Sequence, residues 1–433
     1  MRILEQTRDG VVVKIKVEIL EEELVPEFEK AYQKAQKTAV MDGFRPGKVP
    51  LNLVKKRYGE AIREELIEDY IKRIYPEVLK TANLKPITPG DIREVEYKPK
   101  EYLHFTTVFE LKPEFTLAEW RNTTIIKDVV TITEEDIEQE LQSQRELHAI
   151  ISERPEDQGV EMGDHVYVNI QGIDHTGYPI VGKKRSNIKI EIGKDRLGSN
   201  TDEQLIGAKK NEHRRVRTNC VFFNEHGEER REELIWETEI LEIEQIELLE
   251  LDDDLAAQIA GKPITLSELR REIEMELRSY CQSLVKQRLA QRMIDKMVEL
   301  HKFDLPPSIL AETLERMVQS RLKKVTDKIF SEDILRENLT EVAEKQLRWF
   351  FIRNKLIEEE QIQATDEDVE NELKLRAETG KMDYDSLKLM FKSGEKRTDL
   401  EQEILIAKVM NVLHQGFKFD ERLMDFNAFI DNN

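Results

Sequence analysis

Two glycines and two prolines frame an aromatic ring and a guanidinium in the stretch Gly43-Phe44-Arg45-Pro46-Gly47-Lys48-Val49-Pro50. Glycine permits positive φ and proline stiffens the chain, so Phe44 and Arg45 are expected at the tip of a tight loop. Arginine offers a planar fork to carboxylate or phosphate, and phenylalanine offers apolar area, a pairing enriched at interface hot spots. The nearby charge suits an anionic surface. Between residues 31 and 58 stand Lys34, Lys37, Arg45, Lys48, Lys55, Lys56 and Arg57 against the single acid Asp42, a net of +6. Residue types alone leave two readings standing: a docking knob, or a rigid helix–helix turn with solvated lysines.

Other chemistries are poorly served. The loop superficially resembles a phosphate-binding turn, but its glycine spacing is one short and Val49 stands where a magnesium-binding hydroxyl belongs. No H-E-x-x-H, G-x-S-x-G or G-x-G-x-x-G occurs, and the eight histidines form no ligand pair on a helix. Cys220 and Cys281 fit neither a disulfide framework nor a C-x-x-C metal site, so reduced thiols are expected. No cofactor, metal or ATP is expected.

The elements that must position the loop follow from pattern and composition. The 433 residues carry 88 acids and 67 bases, a formal charge of −21 that repels DNA and anionic lipid at long range. Residues 1–114 hold 21 of each sign, so the whole acidic excess lies beyond them. The first residues lack a leader-like apolar core and no run reaches the ~18 apolar residues of a membrane helix, so a cytoplasmic protein with no membrane partner is expected. Length predicts two to four domains, and 36% charged residues suit long helices with several wet faces.

Alternation over 11–20 predicts a strand, and Phe28, Ala31, Tyr32, Ala35 and Ala39 recur at helical spacing before the loop. Helical pattern resumes through Leu53, Ile62, Leu66, Ile67, Tyr70 and Ile74, and strand-like runs over 92–97 and 102–111 close an α+β unit near Pro113. Thr133 with Asp136 forms a capping-box pattern that nearly recurs as Thr365 with Asp368. Short β-rich runs at 165–170, 188–192 and 234–243 predict a small β domain. Beyond Asp254 the pattern is helical, broken at Pro306-Pro307.

The string Gly43 to Pro50, followed by Lys56-Arg57-Tyr58-Gly59, resembles the signature of the trigger factor family, bacterial chaperones that meet nascent chains at the ribosome. Gln204-Leu-Ile-Gly207 and Asp304-Leu-Pro306 are similar to further family landmarks. The resemblance implies an α+β multidomain chain: an α+β ribosome-binding domain over 1–113 and a connector over 114–149 packing with the C-terminal domain. A small β-rich FKBP-like peptidyl-prolyl isomerase domain over 150–246 and an all-α, substrate-binding arm domain over 247–433 follow. It implies that Gly43, Phe44, Arg45, Pro46, Gly47 and Lys48 contact a ribosomal protein and rRNA beside the exit tunnel. A homodimer away from the ribosome stays open.

By the same resemblance, Ile170, Ile180, Leu197 and Thr201 stand where phenylalanines of a proline pocket are expected, while Phe222 or Phe223 and Trp236 keep aromatic character. Such a pocket must be apolar and closed to turn a bond with a barrier of ~18–20 kcal/mol, so weakened isomerase activity is expected. Met293, Met297, Phe303, Met317, Trp349, Phe350 and Phe351 are candidate client contacts, because thioethers and rings adapt to many sequences. The expected function is ATP-independent chaperoning of nascent chains. The alternatives are an isomerase as the main activity and an acidic helical scaffold for one folded partner.

Overall fold

The computed structural model describes every residue except 43, 46, 175, 224–228, 325–331, 381 and 432–433, and of 219–223, 229–233 and 324 it describes the backbone alone. The hairpin β1 (Arg2–Asp9) and β2 (Val12–Leu20) turns at Gly10, whose φ is +56°. With β3 (Asp91–Lys98) and β4 (Tyr102–Glu110) it makes an antiparallel sheet in the order β1-β2-β4-β3. Val13, Ile15, Val17 and Ile19 alternate inward along β2 and meet Leu24 and Phe28 of α1 (Glu21–Thr38) and Ile67, Ile71 and Val78 of α2 (Leu51–Ala82). Burying this apolar face at about 25 cal/mol per Å² drives the two helices onto the sheet and aims the α1–α2 connection outward.

A second sheet holds β6 (Ile150–Glu153), β7 (His165–Ile173), β8 (Pro179–Glu191), β9 (His213–Phe223) and β10 (Glu229–Glu247), in the order β6-β10-β7-β8 with β9 also on β10. Its core is Val166, Val168, Ile170, Ile190, Val216 and Ile240 with Leu205 of the short helix α4 (Asp202–Leu205). Buried Arg154 bonds Asp164 at 2.8 Å at its margin.

Between the two sheets in chain order come β5 (Thr124–Thr131) and α3 (Glu134–Leu147), the latter opened by a complete capping box of Thr133 and Asp136. Ile137 and Leu141 of α3 pack on Ala256 of α5 (Asp253–Ala260) and on Leu269 and Ile273 of α6 (Leu266–Leu300). The remainder is helical: α7 (Pro307–Lys324), α8 (Glu332–Glu359), α9 (Asp366–Thr379), α10 (Tyr384–Met390), α11 (Glu395–Gly416) and α12 (Phe426–Asp431). One strand, β11 (Lys418–Asp425), interrupts the helices and pairs with β5, so the C-terminal region is not wholly α. The chain groups into two compact units, Met1–Lys127 with Gln287–Glu421, and Asp128–Lys286 with Arg422–Asn433. Among the described residues no helix is long and apolar enough to cross a membrane.

Candidate functional site

The connection between α1 and α2 stands on a small core of its own. Val49 and Val54 are wholly buried beside Ala39, with Ala35, Met41, Leu53, Tyr58 and Ile62 packed around them. Both flanks are pinned from the helices: Tyr58 Oη donates to the Val40 carbonyl at 2.9 Å, and Gln36 Nε2 donates to the Val49 carbonyl at 2.7 Å. Pro50 precedes the first turn of α2, and its carbonyl accepts the Leu53 and Val54 N–H groups.

Above this base the loop is built from two short turns. The Phe44 N–H reaches the Met41 carbonyl at 3.0 Å, and the Lys48 N–H reaches the Arg45 carbonyl at 2.9 Å. Gly47 takes φ +80°, a conformation costly for any residue with a Cβ. Phe44 is 41% exposed, large for a ring on a folded surface, and Arg45, Gly47 and Lys48 are exposed with it. Gly43 and Pro46 lie outside the described residues.

The charge of the tip is unspent. Among the described residues none of Lys34, Lys37, Arg45, Lys48, Lys55, Lys56 and Arg57 makes an ion pair, although Lys30, Lys72 and Arg73 on the same helices do. Lys55 lies 5.0 Å over the Tyr32 ring and Arg57 6.0 Å over that of Tyr58, which orders two of them without neutralising either. A ring, a free guanidinium and a free ammonium on a pre-shaped turn can grip an anionic, partly apolar surface.

In the middle sheet the expected pocket positions are only partly gathered. Ile170 is 3% exposed and is a core residue, with Leu197 and Trp236 packed half-buried against its cluster. Ile180 is half-buried on β8 outside that cluster. Thr201 is fully buried, and its hydroxyl is satisfied by donating to the Gly198 carbonyl at 2.7 Å. Asp195 accepts the N–H groups of Asn200, Thr201 and Asp202, which holds its carboxyl below the usual range and fixes the turn that carries Leu197 and Thr201. The indole N–H of Trp236 is buried with no partner among the described residues. The side chains of Phe222 and Phe223 lie outside them.

Of the expected client contacts, three are corrected. Met293, Met297 and Phe351 are buried in a core with Trp120, Ile352, Leu356, Val409, Leu413 and Phe417, so they hold helices together and are closed to a client. Apolar residues at helical spacing look alike in sequence whether the face is covered or open. Phe303 stacks on Phe115 at 4.1 Å and Trp349 is half-buried on the same core. Met317 is half-buried on α7, and Phe350 is 44% exposed on α8. Sequence reasoning missed Leu375, Leu389, Met390 and Ile406, which are exposed on α9, α10 and α11. Leu389 falls out of phase with Tyr384, Leu387 and Phe391 of the local core, a signal available in the sequence.

Comparison with known proteins gives a consistent result. The family described as "Bacterial trigger factor protein (TF)" matches residues 1–144, and its C-terminus, described as "Bacterial trigger factor protein (TF) C-terminus", matches residues 265–415. A trigger factor of Halothermothrix orenii is 28% identical over 426 residues, covering 95% of this chain and 98% of its own. That of Clostridium acetobutylicum is 28% identical over 429 residues, covering 95% and 97%. A solved structure described as "Promiscuous Substrate Recognition in Folding and Assembly Activities of the Trigger Factor Chaperone" superposes with a TM-score of 0.50 at 22% identity, covering 96% of this chain and 99% of that one, a likeness of fold.

Proposed function

Because the chain belongs to the bacterial trigger factor family, we propose that it is moored to the ribosome by Phe44, Arg45 and Lys48. It is a ribosome-associated chaperone that binds nascent polypeptides. The observation that carries the mooring is the tip itself: an exposed ring and unpaired cations on a turn whose base is sealed by Val49. Phe44 seats in an apolar recess of a ribosomal protein beside the exit tunnel, and Arg45 and Lys48 meet carboxylates or rRNA phosphates around it. Gly47 allows the turn, and the acidic remainder of the chain is held off the polyanion.

Residues 1–113 serve as the ribosome-binding domain, 114–149 as a connector, 150–246 as an FKBP-like domain and 247–433 as the client-binding arms. Clients meet the open apolar residues Met317, Phe350, Leu375, Leu389 and Ile406, with Trp349 and Phe303 at the margin, and exchange through many weak contacts without ATP. The FKBP-like domain turns over prolyl bonds poorly, since Ile170 fills the core and Thr201 is bonded to its own loop. The protein works in the cytoplasm, and self-association of the free protein is read by sedimentation velocity.

Co-sedimentation with ribosomes tests the mooring. Phe44→Ala with Arg45→Ala abolishes sedimentation while leaving the melting curve in place. A double variant that sediments like the wild type removes the assignment.

A further inference from the structure

Residues 345–357 of α8 hold four bases, Lys345, Arg348, Arg353 and Lys355, and no acid, within the part of the chain that carries all of the acidic excess. The lysines are answered along the helix, Lys345 by Glu341 at 3.7 Å and Lys355 by Glu359 at 3.5 Å. The arginines are not: among the described residues neither makes an ion pair, and the Nε of each is buried without a hydrogen-bond partner.

Arg348 has acids at hand. It lies 5.6 Å over the Phe303 ring and lines a cavity of about 490 Å³ together with Asp304, Glu341 and Glu344. Arg353 lies 5.5 Å over the ring of Phe350, and burial pushes its pKa down with no anion to offset it. Phe350 stands edge-on to buried Phe351 at 5.4 Å and leaves much of its own ring open. Val342, two turns earlier on the same helical face, is also exposed.

A partly buried cation without an anion is costly, and removing it usually stabilises a fold. Stacking on one ring recovers a fraction of that cost. What the geometry lacks is a carboxylate arriving from outside, next to an apolar group able to cover Phe350.

We propose that Phe350 and Arg353 form a subsite for an acidic residue of an extended client chain, its Asp or Glu carboxylate taken by the Arg353 fork while a neighbouring apolar or aromatic side chain lies on Phe350. The inference rests on reading the exposed face of α8 as client-binding and adds a chemical preference to it. Where the acidic surface of the arms repels carboxylates, this stretch accepts them, which fixes the register at which a client carrying both can lie. Arginine beside an open ring also suits single-stranded RNA, but the −21 charge of the whole chain opposes it.

The test uses two fluorescent unstructured peptides that differ in one position, Trp-Asp in one and Trp-Asn in the other, titrated onto the full chain and onto Arg353→Met. The wild type is expected to bind the Asp peptide about tenfold more tightly, the scale of one charge-assisted hydrogen bond. Arg353→Met is expected to bind both peptides as the wild type binds the Asn peptide, with a melting midpoint unchanged or raised. Binding of the Asn peptide is the control for an intact client surface, and Arg353→Lys, which keeps charge without the fork, should retain part of the preference. A lowered midpoint with the Asp preference intact makes the guanidinium a packing group and overturns the proposal. Equal binding of both peptides by the wild type overturns it too, and leaves the client surface standing. Binding of neither peptide overturns both readings. Displacement of the Asp peptide by a short single-stranded RNA that Arg353→Met no longer binds assigns the subsite to nucleic acid instead.

Discussion

Glu110 holds Ser308 with both of its carboxylate oxygens: Oε1 accepts the Ser308 backbone N–H at 2.9 Å and Oε2 accepts its hydroxyl at 2.6 Å. Ser308 is the second residue of α7, whose lead-in, Pro306-Pro307, has no side-chain acceptor to offer the orphan N–H groups of the first turn. A residue of β4 therefore caps a helix 198 positions away. Close by, Gly10 faces Asp304 so tightly that a Cβ would lie 2.5 Å from its Oδ2.

Glu110→Ala is expected to lose about 1–2 kcal/mol, the scale of a cap plus a charge-assisted bond. Ser308→Ala should lose less, since the backbone bond survives. Urea midpoints of the two single variants and the double variant check this, and strict additivity would count against a direct coupling.

Acid should loosen the α9–α11 pairing before it unfolds the rest. Asp368 accepts Lys408 Nζ at 2.5 Å and both the N–H and the hydroxyl of Thr365 at 2.7 Å, which together hold its pKa at about 2. A depressed carboxylate contributes stability that is whole above its ordinary pKa near 3.9 and vanishes as pH falls through the folded value. The advantage of the wild type over Asp368→Asn is thus expected to be constant above about pH 5 and to fade between pH 4 and 2. Hydrogen exchange of α9 amides across that range reads it.

Arg154 and Asp164 are the buried pair of the middle sheet, 2.8 Å apart with both side chains nearly sealed from solvent. Arg154→Met should cost about 3–5 kcal/mol, because it leaves a carboxylate buried with one backbone donor, the Glu161 N–H at 2.8 Å. Adding Asp164→Leu to that variant should recover part of the loss. Hydrogen exchange of β7 and β10 amides across a denaturant series reports on this unit, and equal losses in single and double variants would argue against desolvation as the cause.

Docking and loop stability should separate cleanly at the tip. Val49→Ala removes volume from a closed site and should lose roughly 1–3 kcal/mol together with ribosome affinity. Phe44→Ala and Lys48→Ala lie on an exposed surface and should lose affinity with stability changed by less than about 0.5 kcal/mol. Circular-dichroism melts paired with co-sedimentation distinguish the two classes.

Much of this was legible in residues with local causes. The capping boxes at Thr133–Asp136 and Thr365–Asp368 form as their spacing predicts, and the helix break at Pro306-Pro307 falls at the start of α7. Arg45 is exposed at the loop tip, as its frame of glycines and prolines suggests. The strands β1 and β9 were not legible. β1 is an edge strand with almost every side chain in water, and β9 reads His213-Arg-Arg-Val-Arg-Thr218, so neither shows the alternation that marks a half-buried strand. The burial of Met293 and Met297 and the Glu110–Ser308 cap depend on residues far away in the chain, which spacing along one helix does not reveal.

A cation already bound to its own carboxylate must release it before holding anything else, and the seven around the loop have none to release among the described residues. Landing exchanges only loosely associated small ions, so the pull reaches about a Debye length and quickens as buffer is diluted. Leaving is governed separately, by how well one ring fits its recess. Frequency of visits and length of stay can therefore drift independently, the first with the ionic medium of the cell and the second with a single side chain.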